Sequence, residues 1–462
     1  MKIHGILHRL FKYDHVCILN EEISYPELTK SIVHNQYMLN KHSRPESLIV
    51  DINLGWRFIP ILVAAILSKI TVVPVDIKGN RKTSTIFNDF PEVNVIDGKG
   101  VDRLGRIITD RFVSNFDEEL DDVAFLLHTS GSTGSPKAVM LTFENISTNL
   151  EDILAYSDLG TNDRVCVTRP LSNVSAITGE ILPALFSGSQ IYVKSPIESP
   201  LTLPKIIDKY STPIVFTTPT LATILATLKN NKWVSPLKRL VLSGECLKQG
   251  QLEKILQTFP HCEVWNAYGL TEASPRISVL KESPVQKGIH CVGKPLPHVD
   301  VKIVNEKGKS VKEGDKGQLL VKGANIMKGY YRSHRLTSLK KSKDDWLNTG
   351  DIASYSNGYL YVYGRSDWMI IRGGENINPM EIEQILSSIP EVQEAMVFAA
   401  DEDRGTKIHA WVTSRNEIQD YGIFKTLRDQ NIPSKLWPDK ISIVDSLPKS
   451  SNGKLLRPRG GA

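Results

Sequence analysis

The sequence predicts an α/β fold: a mostly parallel sheet, a β-rich subdomain after it and a small α+β domain at the C-terminal end. Three observations carry this. Over about the first 240 residues, helical and β-branched stretches alternate, the pattern of a parallel sheet with helical crossovers. After about residue 290, short strand-like runs separated by Gly and Asn take over. From Asp367 onward, about 95 residues hold a helix, two strands and a polar tail, enough for a domain of their own.

Taken in order, the apolar run Phe58–Leu67 lies between Arg57 and Lys69. It falls short of the ~20 residues that span a bilayer, so it predicts a buried helix. The β-branched run 70–75 then predicts a strand. Residues 123–127 read as a short buried strand and residues 142–147 as a helix start, which places the segment between them in a strand-to-helix connection. Residues 179–186 predict a helix leading to a strand at 190–193, and 204–209 a helix leading to a strand at 213–217. Strands follow at 262–265, 301–304, 317–322 and 359–363. The last part predicts a helix at 379–389 and strands at 392–399 and 407–413.

With 462 residues, 41% hydrophobic and 23% charged, the chain can bury a large core. A net charge of +5 without a dominant basic tract gives no electrostatic footprint for nucleic acid. The five cysteines (Cys17, Cys166, Cys246, Cys262, Cys291) show neither CxxC nor metal-ligand spacing, which predicts free thiols in a reducing cytoplasm. The N-terminal residues carry charges throughout and do not read as a signal peptide.

Four segments carry chemistry. The first is His128-Thr-Ser-Gly-Ser-Thr-Gly-Ser-Pro-Lys137, with five hydroxyls and two glycines between Thr129 and Ser135. Backbone N–H groups and hydroxyls can there converge on phosphate oxygens with no Cβ in the way, and Lys137 adds a positive charge, so the loop suits ATP. It is not the Walker pattern, since Lys137 follows Pro136 and no Ser or Thr comes after it. The second is Asn266-Ala-Tyr-Gly-Leu-Thr-Glu272, where an aromatic ring can stack on a base, a hydroxyl can bind phosphate and a carboxylate can hold Mg²⁺. The third joins Asn348-Thr-Gly-Asp351 to Gly364-Arg-Ser-Asp367, a carboxylate and a guanidinium able to bracket a ribose. The fourth, Leu447-Pro-Lys-Ser-Ser-Asn-Gly-Lys454, presents a lysine in a turn-rich stretch.

Together these segments resemble the adenylate-forming superfamily of acyl-CoA synthetases, peptide-synthetase adenylation domains and luciferases, in the same order and at similar spacing, from about residue 48 to 457. The resemblance implies a large N-terminal domain of stacked sheets, residues 1–366, and a small mobile C-terminal domain, residues 367–462, hinged near Asp367. It implies that Thr129, Ser130, Ser132, Thr133 and Lys137 wrap the β,γ-phosphates and that Asn266 and Tyr268 hold the adenine, with Gly131, Gly134, Ala267 and Gly269 also in the ATP/AMP site. Glu272, with Thr133, would bind the metal, and Thr271 the α-phosphate. Asp351 and Arg365 would take the ribose, Lys454 would bridge carboxylate and phosphate, and Gly374 would line the thiol tunnel. The implied reaction turns a carboxylic acid and ATP into acyl-AMP, then a thioester on CoA or on a carrier protein's phosphopantetheine. A nucleotide-binding protein without turnover is the alternative class.

The stretch from Arg169 to Glu180 resembles the start of the family's acid pocket, with Asn173 where many relatives carry histidine and Ser175 where amino-acid-activating domains carry aspartate. Phe143 replaces another frequent histidine. An α-amino acid is disfavoured. The facing wall, Ser243, Gly244 and Glu245, is small and polar, which favours a short or small aryl acid. After Lys454 only eight residues follow, and Arg457 and Arg459 are available there for a CoA phosphate, an acidic carrier or solvent.

Overall fold

The computed structural model describes residues 10–41, 45–78, 94–109, 112–114, 117–129, 137–194, 198–228, 237–372, 375–402, 405–414, 419–448 and 456–458. A six-stranded sheet is formed by β1 (Ser47–Asp51), β2 (Thr71–Val75), β3 (Val123–Thr129) and β4 (Lys137–Thr142), with Val95–Ile96 at one edge and Gly329–Tyr330 at the other. Strands β1, β2 and β3 run parallel and β4 antiparallel. Every residue of β1 and β2 is buried, as expected for strands covered on both faces. Helices α1 (Tyr25–Asn40) and α2 (Phe58–Leu67) pack against each other. All of α2 from Phe58 to Ile66 is buried, so it is a core helix, each fully buried Ile or Leu contributing about 1.5–3 kcal/mol.

The phosphate-type loop does not run from strand to helix. Residues 138–141 are all buried and pair with β3, from Thr129 opposite Lys137 to Val123 opposite Thr142, so their backbone groups are met by a neighbouring strand. The loop residues 130–136, outside the described residues, therefore join two antiparallel strands. Helix α3 (Phe143–Ser157) begins only afterwards, where the Thr142 hydroxyl accepts from Asn145 N at 3.1 Å and Asn145 Oδ1 accepts from Thr142 N at 2.9 Å.

The second sheet has thirteen strands. Its parallel centre runs β6 (Gln190–Val193), β5 (Arg164–Val167), β7 (Ile214–Thr217), β8 (Arg239–Ser243), β9 (Glu263–Gly269). It continues antiparallel through β10 (Arg276–Leu280), β11 (Cys291–Pro295), β13 (Tyr359–Arg365) and β12 (Leu347–Ser356). The strand-rich texture after residue 290 is thus an extension of the same sheet. The helix expected at 179–186 is an α-helix only at Leu182–Phe186; Ile177–Ile181 is a π-helical turn, a feature that concentrates at functional sites.

Beyond Asp367, α4 (Pro379–Ser387) packs on β14 (Val392–Glu402), β15 (Gly405–Ser414) and β16 (Lys440–Ile443) around a core of its own that includes Ile382, Leu386, Val397, Ile408 and Val412. The tail packs into that unit. Arg457 Nη1 reaches Glu383 Oε1 at 2.6 Å, also donates to Val397 O, and the guanidinium lies 4.6 Å from the Trp368 ring centroid. Arg457 is therefore an internal strut and not an acceptor-facing or solvated cation; Arg459 lies outside the described residues. All five cysteines are free thiols, Cys246 alone being exposed. No helix among the described residues is long and apolar enough to cross a membrane.

Candidate functional site

Three of the four motif segments converge where the two sheets meet. Thr129 ends β3 and Lys137 opens β4, with Thr129 Oγ1 donating to Lys137 O at 3.4 Å. Lys137 Nζ stands 5.6 Å from the Tyr330 ring centroid, and the Tyr330 hydroxyl donates to Glu272 Oε1 at 2.7 Å. Burial first, and the Glu272 carboxylate second, push the Tyr330 phenol far above its ordinary range, so it stays a donor. Ser130, Gly131, Ser132, Thr133 and Gly134 lie outside the described residues.

Thr271 and Glu272 occupy a 3₁₀ turn between β9 and β10. That turn depends on Gly269: a Cβ there would sit 1.7 Å from Pro275 O, the atom that accepts from Leu270 N at 3.0 Å. On β9, Ala267 is buried opposite Ser243, and the Asn266 amide donates to Cys291 O at 3.1 Å, tying β9 to β11. Tyr268 Oη donates to Asp351 Oδ2 at 2.5 Å. Asp351 and Arg365 face each other across β12 and β13, with Arg365 Nη1 at 3.5 Å from Asp351 Oδ1 and 2.8 Å from Thr349 O. Asp351 is 8% exposed; burial raises its carboxyl above the ordinary range, against the pull of Arg365 and Tyr268. Asp367 is exposed and accepts from Arg365 Nε at 3.2 Å.

Two residues here escaped the motif reading. Tyr330 sits in a two-residue strand with no periodicity to mark it. Lys340, which donates to Asn348 O at 3.2 Å, has its ammonium pKa lowered by burial and then by Arg365, and lies within the electrostatic reach of Glu272, Asp351 and Lys137.

The acid-pocket candidates gather at the adjoining strand ends. Asn173 Oδ1 accepts from Ser175 N at 2.8 Å, starting the short helix that runs into the π-turn. Ser243 ends β8, and Gly244 follows at φ +87°, where a side chain would be strained. Glu245 Oε2 accepts from Thr220 Oγ1 at 2.7 Å. Beneath them lie three charged residues, Arg169 and Glu180 at the two ends of the acid-pocket stretch and Arg276 outside every motif. Arg169, 5% exposed, pairs with Glu180 and donates through Nη2 to Thr217 O at 2.5 Å, Ser243 O at 2.7 Å and Ser243 Oγ at 2.9 Å. Arg276, 1% exposed, approaches Ser243 Oγ at 3.3 Å and Ser175 Oγ at 3.5 Å. Gly374 and Lys454 lie outside the described residues.

A family model for AMP-binding enzymes matches residues 42–331, and one for the AMP-binding enzyme C-terminal domain matches residues 381–454. A feruloyl-CoA synthase of an Amycolatopsis species is 31% identical over 346 residues, 73% of this chain and 69% of that protein. A 2-succinylbenzoate–CoA ligase of Oceanobacillus iheyensis is 31% identical over 340 residues, 73% of this chain and 69% of that protein. Among solved structures, ATP-bound MatB from Rhodopseudomonas palustris superposes with a TM-score of 0.84 at 21% identity, covering 97% of this chain and 96% of that one. The O-succinylbenzoate coenzyme A synthetase from Bacillus subtilis, in complex with ATP and magnesium ion, gives 0.80 at 23% identity, covering 98% of each chain. At such identities these two likenesses concern the fold.

Proposed function

The chain belongs to the AMP-binding enzyme family, and from that premise we propose that it is an ATP-dependent acid–thiol ligase that uses CoA as acceptor and a short or small aryl acid as substrate. The observation that carries this reading is the polar cluster Lys137, Tyr330, Glu272, Lys340, Asp351, Tyr268 and Arg365, drawn from seven separate elements to one place.

In the first half-reaction a carboxylate oxygen attacks the α-phosphorus of ATP, the bond to pyrophosphate breaks and acyl-AMP forms. The difficulty is electrostatic: two like charges at 4 Å repel by about 1 kcal/mol in water and about 4 at an effective dielectric of 20. Lys137 and its loop hold the leaving pyrophosphate, Thr271 the α-phosphate, and Asp351 and Arg365 fix the ribose, so the in-line attack becomes effectively unimolecular. Tyr268 supports Asp351 from the adenine side. Glu272 fits Mg²⁺, because Tyr330 orients its carboxylate and this ion needs only one or two protein carboxylates besides phosphate oxygens; when bound it neutralises phosphate charge. Thr133 is the second metal candidate. No general base is required, since carboxylic acids are ionised near neutral pH.

Lys454 completes the first step from the small domain, which begins at Asp367. That domain then turns about Asp367, removing Lys454 and bringing Gly374 to the thiol path, and the thiol attacks the acyl carbon as AMP leaves. The separate core beyond residue 370 supports this division. The CoA assignment rests on the names of the curated relatives.

The test is pyrophosphate release from ATP with a panel of short aliphatic, hydroxy and aryl acids, with and without CoA. Acid-dependent release followed by CoA thioester is expected. Thioester on a carrier protein but not on CoA overturns the acceptor. ATP binding without release for any acid overturns the enzyme reading and leaves a nucleotide-binding protein.

A further inference from the structure

The acid pocket holds more buried positive charge than adenylation uses. Arg169 and Arg276 are both buried, while Glu180, fully buried, is the carboxylate that faces both and gives Oε1 to Arg169. Two guanidiniums against one fully buried carboxylate leave one positive charge without a partner. Glu245 adds its field at Arg169, but it is only half-buried and its Oε2 is taken by the Thr220 hydroxyl and N–H.

The shortfall falls on Arg276. Its Nη1 has two long contacts to serine hydroxyls, the Tyr156 hydroxyl lies within reach of the guanidinium, and its Nε and Nη2 are buried without a well-formed hydrogen bond among the described residues. A buried guanidinium is tolerated when its donors are met, and this one is left open on one edge. Gly179, in the π-turn, borders this edge: a Cβ there would lie 3.2 Å from Nη2, so a larger residue would crowd the guanidinium. Gly179 and Tyr156, a polar neighbour of the guanidinium, also line a cleft with Phe216, Val241 and Trp265.

Register places this beside the chemistry. Arg276 pairs with Gly269 and Ser243 with Ala267, so both flank the strand that carries the adenine-type residues.

We propose that the acid activated by this chain carries a second anionic group, in the simplest case a dicarboxylate, whose non-reacting carboxylate is held by Arg276 between Ser175 and Ser243. A guanidinium presents parallel N–H donors that match a carboxylate in its plane, and the two serine hydroxyls complete the ring of donors. This deepens the adenylation reading above and rests on it.

The experiment compares matched pairs in ATP-dependent pyrophosphate release by the full chain: aliphatic and benzene dicarboxylic acids, each against its own monomethyl ester. The diacid should exceed its monoester in kcat/KM by at least about tenfold for the preferred skeleton, because an unmet buried charge rejects the neutral analogue. Arg276→Met should bring that ratio near one, and Arg276→Lys should restore part of it. A purely structural Arg276 would instead lower both members of each pair alike, which overturns the proposal. Equal turnover of diacids and monoesters by the unmodified chain does so too, whether or not the variants fold. Turnover of monocarboxylic acids alone overturns this inference and leaves adenylation standing, whereas silence with every acid overturns both.

Discussion

Tyr268→Phe isolates the contact on which the nucleotide end of the site is built. The phenol donates at 2.5 Å to a carboxylate that is only 8% exposed, and its removal leaves Asp351 with Arg365 at 3.5 Å as its remaining charged partner in contact. A hydrogen bond to a charged group is worth about 1.5–3 kcal/mol, and an orphaned buried acceptor costs about 1–3. The Arg365 charge survives the substitution and at 3.5 Å still supplies about 5 kcal/mol of gross attraction at an effective dielectric of 20, which limits the loss. We therefore expect Tyr268→Phe to lower stability by about 1.5–3 kcal/mol. In a double-mutant cycle with Asp351→Asn, most of that should be coupling energy, measured by urea unfolding with far-UV circular dichroism. Additive losses, with coupling below about 0.5 kcal/mol, would refute the idea that the phenol acts through the carboxylate.

Asp351→Asn should change the pH dependence of stability. Burial raises the carboxyl above its ordinary 3.8, so the folded state holds the proton more tightly than the unfolded chain, and this contribution is present at low pH and lost as pH rises through the raised value. The melting temperature of the variant relative to the parent should then improve from pH 4 to pH 7; a flat difference contradicts the assignment. Gly269→Ala should cost about 1–3 kcal/mol or more by overpacking and reduce pyrophosphate release, since a Cβ 1.7 Å from Pro275 O must displace the turn carrying Thr271 and Glu272. Unchanged activity and stability would show that the turn does not need that close approach. Lys454→Ala should abolish acyl-AMP formation yet still convert supplied acyl-AMP to thioester, and equal loss of both half-reactions argues against its proposed role.

The sequence by itself determined which chemistry is present and in what order. The hydroxyl- and glycine-rich loop ending at Lys137, the Asn266–Glu272 run and the Asp351 and Arg365 segments are each contiguous, so their character survives without coordinates. The buried helix Phe58–Leu67 was legible for a related reason, because a run hydrophobic on every side has only one stable environment. Local pattern failed where the partner is distant. Residues 138–141 fall in the stretch read as a strand-to-helix connection, and only pairing with β3 makes them a strand. The same holds for the strands after residue 290, whose membership of the thirteen-stranded sheet depends on β11 meeting β13.

The tertiary structure decided how the charges are shared. Tyr330 meets Glu272 across 58 residues of chain and Tyr268 meets Asp351 across 83. Arg276 lies 101 residues from Ser175, and nothing in its own neighbourhood distinguishes it from a surface arginine until burial removes its water. A buried charge is defined by what surrounds it, and hydrogen bonds and desolvation depend on distances in space, which residue order does not specify.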